Sequence, residues 1–347
     1  MMRKLLLPFS LLYWLGVVVR NWFFDIGILK AEQLSVPVIS VGNISAGGVG
    51  KTPFVELLIE KLKNNHSLAV VSRGYKRKTT GIVVVSDGRR IKSTVESSGD
   101  EPIQLAHKYP GLIVVVDEQR VRGARKAIEL GATLILLDDG FQHRYLYRDL
   151  NIVILTAEEI LNGNILLPSG NRREPWTSLK RADVIAVTRC ADTKEYARVC
   201  EAGLKCNVLP AKTPTIGLTT NLKSFKRVSS GEILKKGTAA GRNVVAFSGI
   251  GNPKSFEDLM RKANLNVVNH VAFSDHHWYS DGDIKAMMKI RKQTHADFIV
   301  TTEKDIARIH ERFEEFLETE PVIVIEIQQD IIAGEEIFNE LLQGMNE

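Results

Sequence analysis

The stretch VGNISAGGVGKTPF, residues 41–54, holds the residues with the most specific chemistry in this chain. Gly50, Lys51 and Thr52 close the phosphate-binding template G-x-x-x-x-G-K-[ST], while Ser45 stands where the template has its first glycine. A loop of Ser45, Ala46, Gly47, Gly48, Val49 and Gly50 lets backbone N–H groups approach phosphates closely, with Gly42 and Gly47 available to supply the bend. Lys51 would then reach the β- and γ-phosphates, and the Thr52 hydroxyl would ligate Mg²⁺. A second stretch, LILLDDGFQH, ends an apolar run in Asp138 and Asp139, the oxygen donors a hard cation wants. Adjacent side chains on a strand diverge, so one of the two carboxylates faces the metal and the other acts through water or the loop.

Phosphoryl transfer to a hydroxyl also needs a proton acceptor. SSGDEP places Asp100 in a polar loop read as flexible, and FSDHHWYS places Asp275, His276 and His277 after an apolar run. Taken singly, such residues are more often solvated loop positions than catalysts; two adjacent histidines have no third ligand at metal spacing. A base on one domain and a histidine on the other would make catalysis depend on domain closure. Basic side chains recur in SRGYKRK (Arg73, Lys76, Arg77, Lys78), DEQRVRGARK (Arg120, Arg122, Arg125) and LLPSGNRREP (Arg172, Arg173). At strand ends on the loop side they suit a phosphorylated substrate or anionic lipid, with Arg73, Arg122 and Asn171 as candidate substrate contacts. Nucleic acid is excluded by the lack of a recognition module and of interleaved aromatics.

Elements of definite type must hold these residues. VPVISVG, LAVVSRGY, LIVVVD, ATLILLDDG, NIVILT and DVIAVTR are mostly continuous apolar runs, the pattern of strands buried on both faces. Helical stretches between several of them predict a parallel sheet covered on both sides, with VPVISVGN delivering the loop and KTPFVELLIEKL receiving it. Pro53 is tolerated in that helix's first turn, where its missing N–H is unpaired anyway. After Leu209 the texture turns to Pro, Gly, Thr, Ser and Lys, and a second strand–helix series begins at NVVAFSGIG. The expected organisation is an N-terminal helix (1–30), a P-loop core (31–212), a linker with short strands (213–240) and a smaller α/β domain (241–347).

The 347 residues are 44% hydrophobic and 25% charged with a net charge of +5, ordinary for a globular protein and mildly favourable to anionic partners. Three cysteines without a C-x-x-C pair point to neither a disulfide framework nor a zinc site. The N-terminus is apolar from Leu5 to Val19 between Arg3, Lys4 and Arg20, shorter than the ~20 residues of a spanning helix and interrupted by Pro8. Trp14, Trp22, Phe23 and Phe24 are aromatics of a bilayer interface, so interfacial anchoring is the preferred reading over a core-packed helix, a span or a cleaved signal.

In order along nearly the whole chain, VGNISAGGVGKTP, SRGYKRK, GDEP, LDDGFQH, LLPSGNRREP, FSDHHWYS and TTEKD resemble the tetraacyldisaccharide 4'-kinase family of lipid A biosynthesis. The resemblance implies two α/β domains joined by a short β linker, a membrane-associated enzyme on the cytoplasmic face of the bacterial inner membrane, and ATP with Mg²⁺. It implies transfer of the γ-phosphate to the 4'-hydroxyl of a tetraacyldisaccharide 1-phosphate by a monomer touching anionic lipid. By similarity Lys51 and Thr52 hold phosphate and metal, Asp138 and Asp139 are the Walker B carboxylates, and Asp100 is the general base tuned by His276. Arg173 and Glu174 match an active-site pair, and Tyr75 a nearby cleft position. The main rival is a membrane-associated P-loop ATPase switch, but its KGGVGKT-like loop carries a lysine that SAGGVGKT lacks. A GTPase is weaker: in TTEKD, Thr301 to Asp305, the lysine comes one position late for N-K-x-D, and the stretch has no assigned role.

Overall fold

The computed structural model describes residues 6–234, 236–310 and 312–345; Arg3, Lys4 and Leu5 lie outside them. Two compact units emerge, one of residues 1–220 and 329–347, the other of residues 221–328. In chain order the first unit holds α1 (Leu7–Asp25), β1 (Val38–Asn43), α2 (Lys51–Leu62), β2 (Leu68–Ser72), β3 (Val83–Asp87), α3 (Val95–Ser98), α4 (Asp100–Lys108), β4 (Ile113–Val116) and α5 (Arg120–Glu129). It continues with β5 (Leu134–Asp138), β6 (Leu150–Thr156), α6 (Ala157–Asn162), a 3₁₀ turn over Trp176–Arg181, β7 (Val184–Thr188), α7 (Thr193–Lys205) and the start of β8 (Thr215–Arg227). The second unit holds the rest of β8, β9 (Ile233–Leu234), α8 (Lys236–Ala239), β10 (Asn243–Ser248), α9 (Pro253–Lys262), β11 (Asn266–Ala272), α10 (Asp281–Thr294), β12 (Phe298–Thr302), α11 (Glu303–Ile309), α12 (Glu314–Thr319) and most of β13 (Val322–Ala333). The end of β13 and α13 (Glu335–Gln343) return to the first unit.

In the first unit β1 lies between β5 and β6, all parallel, with Val41 in register with Asp138 and with Ile152. Outward on one side come β2 and β4, then β3 antiparallel at the edge; on the other comes β7. Every residue of β1, β2, β4, β5, β6 and β7 is buried, which is why these runs are apolar without alternation. Parallel pairing brings the C-terminal ends of β1, β2, β4 and β5 to one edge, so the loops at residues 44–50, 73–78, 117–119 and 139–143 share it. In the second unit β10 pairs in parallel with β11 and β12, and β12 with β13.

The division differs from the sequence expectation at two places. The presumed linker is an ordered strand of 13 residues whose end forms a hairpin with β9, pairing Phe225 with Leu234. The C-terminus belongs to the first unit because Phe338 packs on Phe54 of α2, 5.8 Å between ring centroids, and Glu335 pairs with Lys61 at 3.1 Å.

Candidate active site

The loop after β1 keeps the phosphate-cradle form without its first glycine. At Gly42 an added Cβ would sit 2.6 Å from the Phe141 backbone nitrogen, so the close approach falls there. Gly47 and Gly50 have φ of +129° and +95°, a region only glycine enters without strain, and α2 starts directly after Gly50. Ser45 is buried, and its carbonyl accepts hydrogen bonds from Arg173 Nη2 (3.1 Å) and Asn43 Nδ2. Ala46 N donates to Asn171 O at 2.7 Å, Thr188 Oγ1 to Val49 O at 2.9 Å and Gln329 Nε2 to Gly50 O at 3.2 Å. Backbone bracing from three directions replaces the flexibility of the missing glycine.

At the mouth of this loop charges converge on Asp139. Lys51 Nζ lies 3.4 Å from Asp139 Oδ1, and Arg173 forks onto the same carboxylate at 2.9 and 3.0 Å. Asn43 Oδ1 accepts from both cations, from Lys51 at 3.1 Å and Arg173 at 2.6 Å. Burial raises the Asp139 pKa, but Lys51 and Arg173 outweigh it and hold the carboxyl well below the usual carboxylate range. Asp139 has a left-handed φ of +52°, whereas Asp138 is the last residue of β5 and is buried, so the two side chains part as adjacent strand positions should. Arg120, the first residue of α5, is buried; burial lowers its pKa, opposed by the charges of Asp139 and Asp138. Its Nη1 caps the carbonyls of Asp117 and Glu118, while Nε has no hydrogen-bond partner among the described residues.

Asn43 did not stand out by motif, although a polar residue ending a wholly buried strand is a usable signal for it; Arg120 was legible only as one member of the basic stretch DEQRVRGARK. Asp100 is not in a loop: it opens α4 after a turn at Gly99 (φ +95°), and it is buried. Its Oδ1 accepts the Glu101 N–H at 3.0 Å, and Pro102 suits the first helical turn. Glu174 is fully buried and turned to Asn21 Nδ2 (3.0 Å), Ser178 Oγ (2.7 Å) and Arg181 Nη2 (3.1 Å), while its neighbour Arg173 faces Asp139. Arg122 forks onto Asp117 at 2.6 and 2.8 Å with its side chain 47% exposed, and Arg77 is buried against Glu118. Arg73 and Tyr75 are exposed beside them, as is Asn171, and Arg172 stacks on Trp176 at 4.5 Å. In the second unit His277 is held by Asp283 at 3.1 Å and stacked on Phe273; His276 has a φ of +62° and lies 3.7 Å from Asp275.

Helix α1 has two faces. Leu7, Phe9, Leu11, Leu12, Leu15 and Trp22 are exposed, and by length and composition the helix is apolar enough to cross a membrane. Ser10, Tyr13, Arg20 and Asn21 recur at helical spacing on the other face. Ser10 Oγ donates to Leu166 O (3.0 Å), Tyr13 Oη to Arg173 O (3.0 Å) and Arg20 Nη2 to Gln142 O (2.7 Å). Gln142 Nε2 also donates to Arg173 O at 3.3 Å.

A parallel α/β unit whose central strand runs through a glycine-rich loop into a helix opening with lysine and threonine, beside an acidic pair ending the next strand, is a P-loop nucleotide-binding fold. The family profile of tetraacyldisaccharide-1-P 4'-kinase, LpxK, matches residues 2–346, and the chain belongs to that family of kinases. It is 38% identical over 309 residues to the tetraacyldisaccharide 4'-kinase of Syntrophus aciditrophicus, covering 87% of this chain and 83% of the relative. The Aquifex aeolicus tetraacyldisaccharide 4'-kinase is 39% identical over 287 residues, 81% of this chain and 84% of its own. A crystal structure of an "apo" form of LpxK from Aquifex aeolicus in complex with ATP superimposes over 100% of both chains with a TM-score of 0.81 and 33% identity.

Proposed function

We propose that this enzyme transfers the γ-phosphate of ATP to the 4'-hydroxyl of a tetraacyldisaccharide 1-phosphate. The observation that carries the reading is the Lys51–Asp139–Arg173 cluster, with Asn43, at the mouth of a braced P-loop. Two cations gathered on one carboxylate can turn toward phosphate oxygens without a charge being assembled from water. Arg120, buried with an Nε unpaired among the described residues, adds positive charge on the same edge. Transfer of a phosphoryl group rests mainly on such positioning and charge stabilisation.

By the family resemblance Asp100 is the residue that takes the proton of the sugar hydroxyl and His276 the residue that tunes it. A sugar hydroxyl is a far weaker acid than a carboxylic acid, so Asp100 accepts its proton late, as the acceptor oxygen bonds to phosphorus. Mg²⁺ fits the donor set: the Thr52 hydroxyl and the Asp138 carboxylate are hard oxygens, whereas Lys51 and Arg173 engage both oxygens of Asp139. Among the described residues no group of three or more His, Cys, Asp or Glu could hold a metal ion, so phosphate oxygens and water would complete its shell. Bound there, the ion would offset charge on the phosphates. Arg73, Tyr75 and Asn171, all exposed, are the residues for the lipid's sugar and 1-phosphate.

An acyl chain leaves a bilayer at a cost of about 0.8 kcal/mol per CH₂, so the enzyme works at the membrane surface. The exposed apolar face of α1 suits the cytoplasmic leaflet, and its bonded polar face suits lying on the membrane rather than spanning it. The test is transfer of labelled phosphate from ATP to purified disaccharide 1-phosphate in mixed micelles. Wild type should label the lipid, and Asp100→Ala should lose the rate by orders of magnitude. No labelling by wild type overturns the substrate; an undiminished rate in Asp100→Ala removes it as the base.

A further inference from the structure

The TTEKD stretch, without a role in the sequence, is a buried clamp in the second unit. Thr301 Oγ1 donates to Phe247 O at 3.0 Å, at the end of β10. Asp305 is fully buried; its Oδ1 accepts from Gly249 N (3.0 Å), Tyr279 Oη (2.7 Å) and Arg308 Nη1 (3.0 Å), and its Oδ2 from Thr302 Oγ1 (2.6 Å). Arg308, also buried, donates to Gly249 O at 2.9 Å. That carbonyl accepts one more bond, 3.0 Å from the backbone N–H of His276.

Gly249 is therefore held on both sides of its residue, its N–H by a carboxylate and its carbonyl by a guanidinium, and the same carbonyl fixes His276. The fit is close: a Cβ at Gly249 would stand 3.0 Å from Arg308 Nη1, 3.2 Å from Asp305 Oδ1 and 3.2 Å from His277 Cβ. His276 needs such support, because its left-handed φ of +62° is uncommon for a residue with a side chain. Ser248 next door is anchored as well, its Oγ 2.9 Å from His270 Nε2, with His270 Nδ1 3.4 Å from Glu257. Those three residues have the order of an acyl-transfer triad, but Ser248 is fully buried and no acyl group can reach it, so they too hold the loop.

We propose that Asp305, with Arg308, is a positioning residue that sets the backbone of His276 through Gly249. The inference rests on the reading of His276 as the partner of the catalytic base, and it adds a role for two buried residues. Charge-assisted bonds to one peptide group are strong enough to hold a strained neighbour in place.

The test uses the full-length enzyme with selectively ¹⁵N-labelled histidine, the His276 amide assigned by its loss in His276→Ala. Asp305→Asn should shift the His276 amide resonance and lower kcat about 10- to 100-fold while KM for ATP stays within twofold. In a His276→Ala background the same substitution should cause no further loss. Tyr279→Phe, which removes one hydroxyl from Asp305, should move both readouts the same way by less, and it serves if Asp305→Asn does not fold. An unmoved amide resonance in the folded variant overturns the proposal whatever the activity, as do losses that multiply in the His276→Ala background. Wild-type activity in His276→Ala alone overturns the catalytic reading of His276 instead, and the amide shift still decides the positioning.

Discussion

Replacing Asn43 by aspartate puts a second carboxylate where an amide oxygen now receives Lys51 at 3.1 Å and Arg173 at 2.6 Å. A neutral acceptor beside Asp139 holds the lysine lightly enough for it to leave for phosphate; a second carboxylate there would hold it more tightly. Two unit charges at this separation attract by about 5 kcal/mol gross at an effective dielectric constant near 20. Water reaches the site, and Asp139 already neutralises part of both cations, so about 2–3 kcal/mol of that should remain as a penalty on nucleotide binding. The new carboxylate also repels the phosphates and loses the bond that Asn43 Nδ2 makes to Ser45 O. ATP binding to Asn43→Asp should therefore weaken about 30- to 150-fold. Asn43→Ala, which removes the acceptor and the same bond to Ser45 O but adds no charge, should change it less than about fivefold. Calorimetric titration with Mg-ATP, without the lipid acceptor, reads both. An Asn43→Asp affinity within threefold of wild type, at an unchanged melting temperature, would refute the idea that lysine release depends on a neutral partner.

His143 gives a pH prediction. Burial, then the charges of Arg120, Arg148 and Arg20, lower its pKa to about 4, from an ordinary value near 6.5. The unfolded chain binds this proton first, so the stability concerned is fully present above about pH 6.5 and is lost as pH falls toward 4. The melting temperature should drop over that window and drop less in His143→Gln; equal slopes in the two proteins would remove His143 as the source. Trp14→Ser together with Leu11→Ser, both on the exposed face of α1, should shift the enzyme from the vesicle pellet to the supernatant, and an unchanged distribution would sink the surface-binding role of that face.

The P-loop, the Asp138–Asp139 pair and the parallel order of their strands were legible because each depends on local pattern: apolar runs, glycine spacing and carboxylates at a run's end. Asp100 was placed in a flexible loop because SSGDEP is polar, yet Gly99 turns the chain straight into a helix whose packing buries it. The resemblance named Arg173 and Glu174 together, but not that their side chains point apart, Arg173 to Asp139 and the buried Glu174 to Asn21, Ser178 and Arg181. The return of α13 to the first unit was illegible for another reason: Phe338 meets Phe54 from the far end of the chain, a contact no local window contains. TTEKD belongs with these cases, since its meaning lies in a glycine of a different strand-end loop.

Helix α1 carries a consequence for how the enzyme is handled. Cutting away residues 1–20 to obtain a more soluble protein would remove the Tyr13 hydroxyl from the Arg173 carbonyl and the Arg20 guanidinium from the Gln142 carbonyl, along with the apolar face. A slow truncated enzyme would thus report two losses mixed together, and its rate could not serve as a baseline for catalysis off the membrane. The soluble reference protein should keep the helix and change only its outward side chains, so that solvent exposure becomes the one variable.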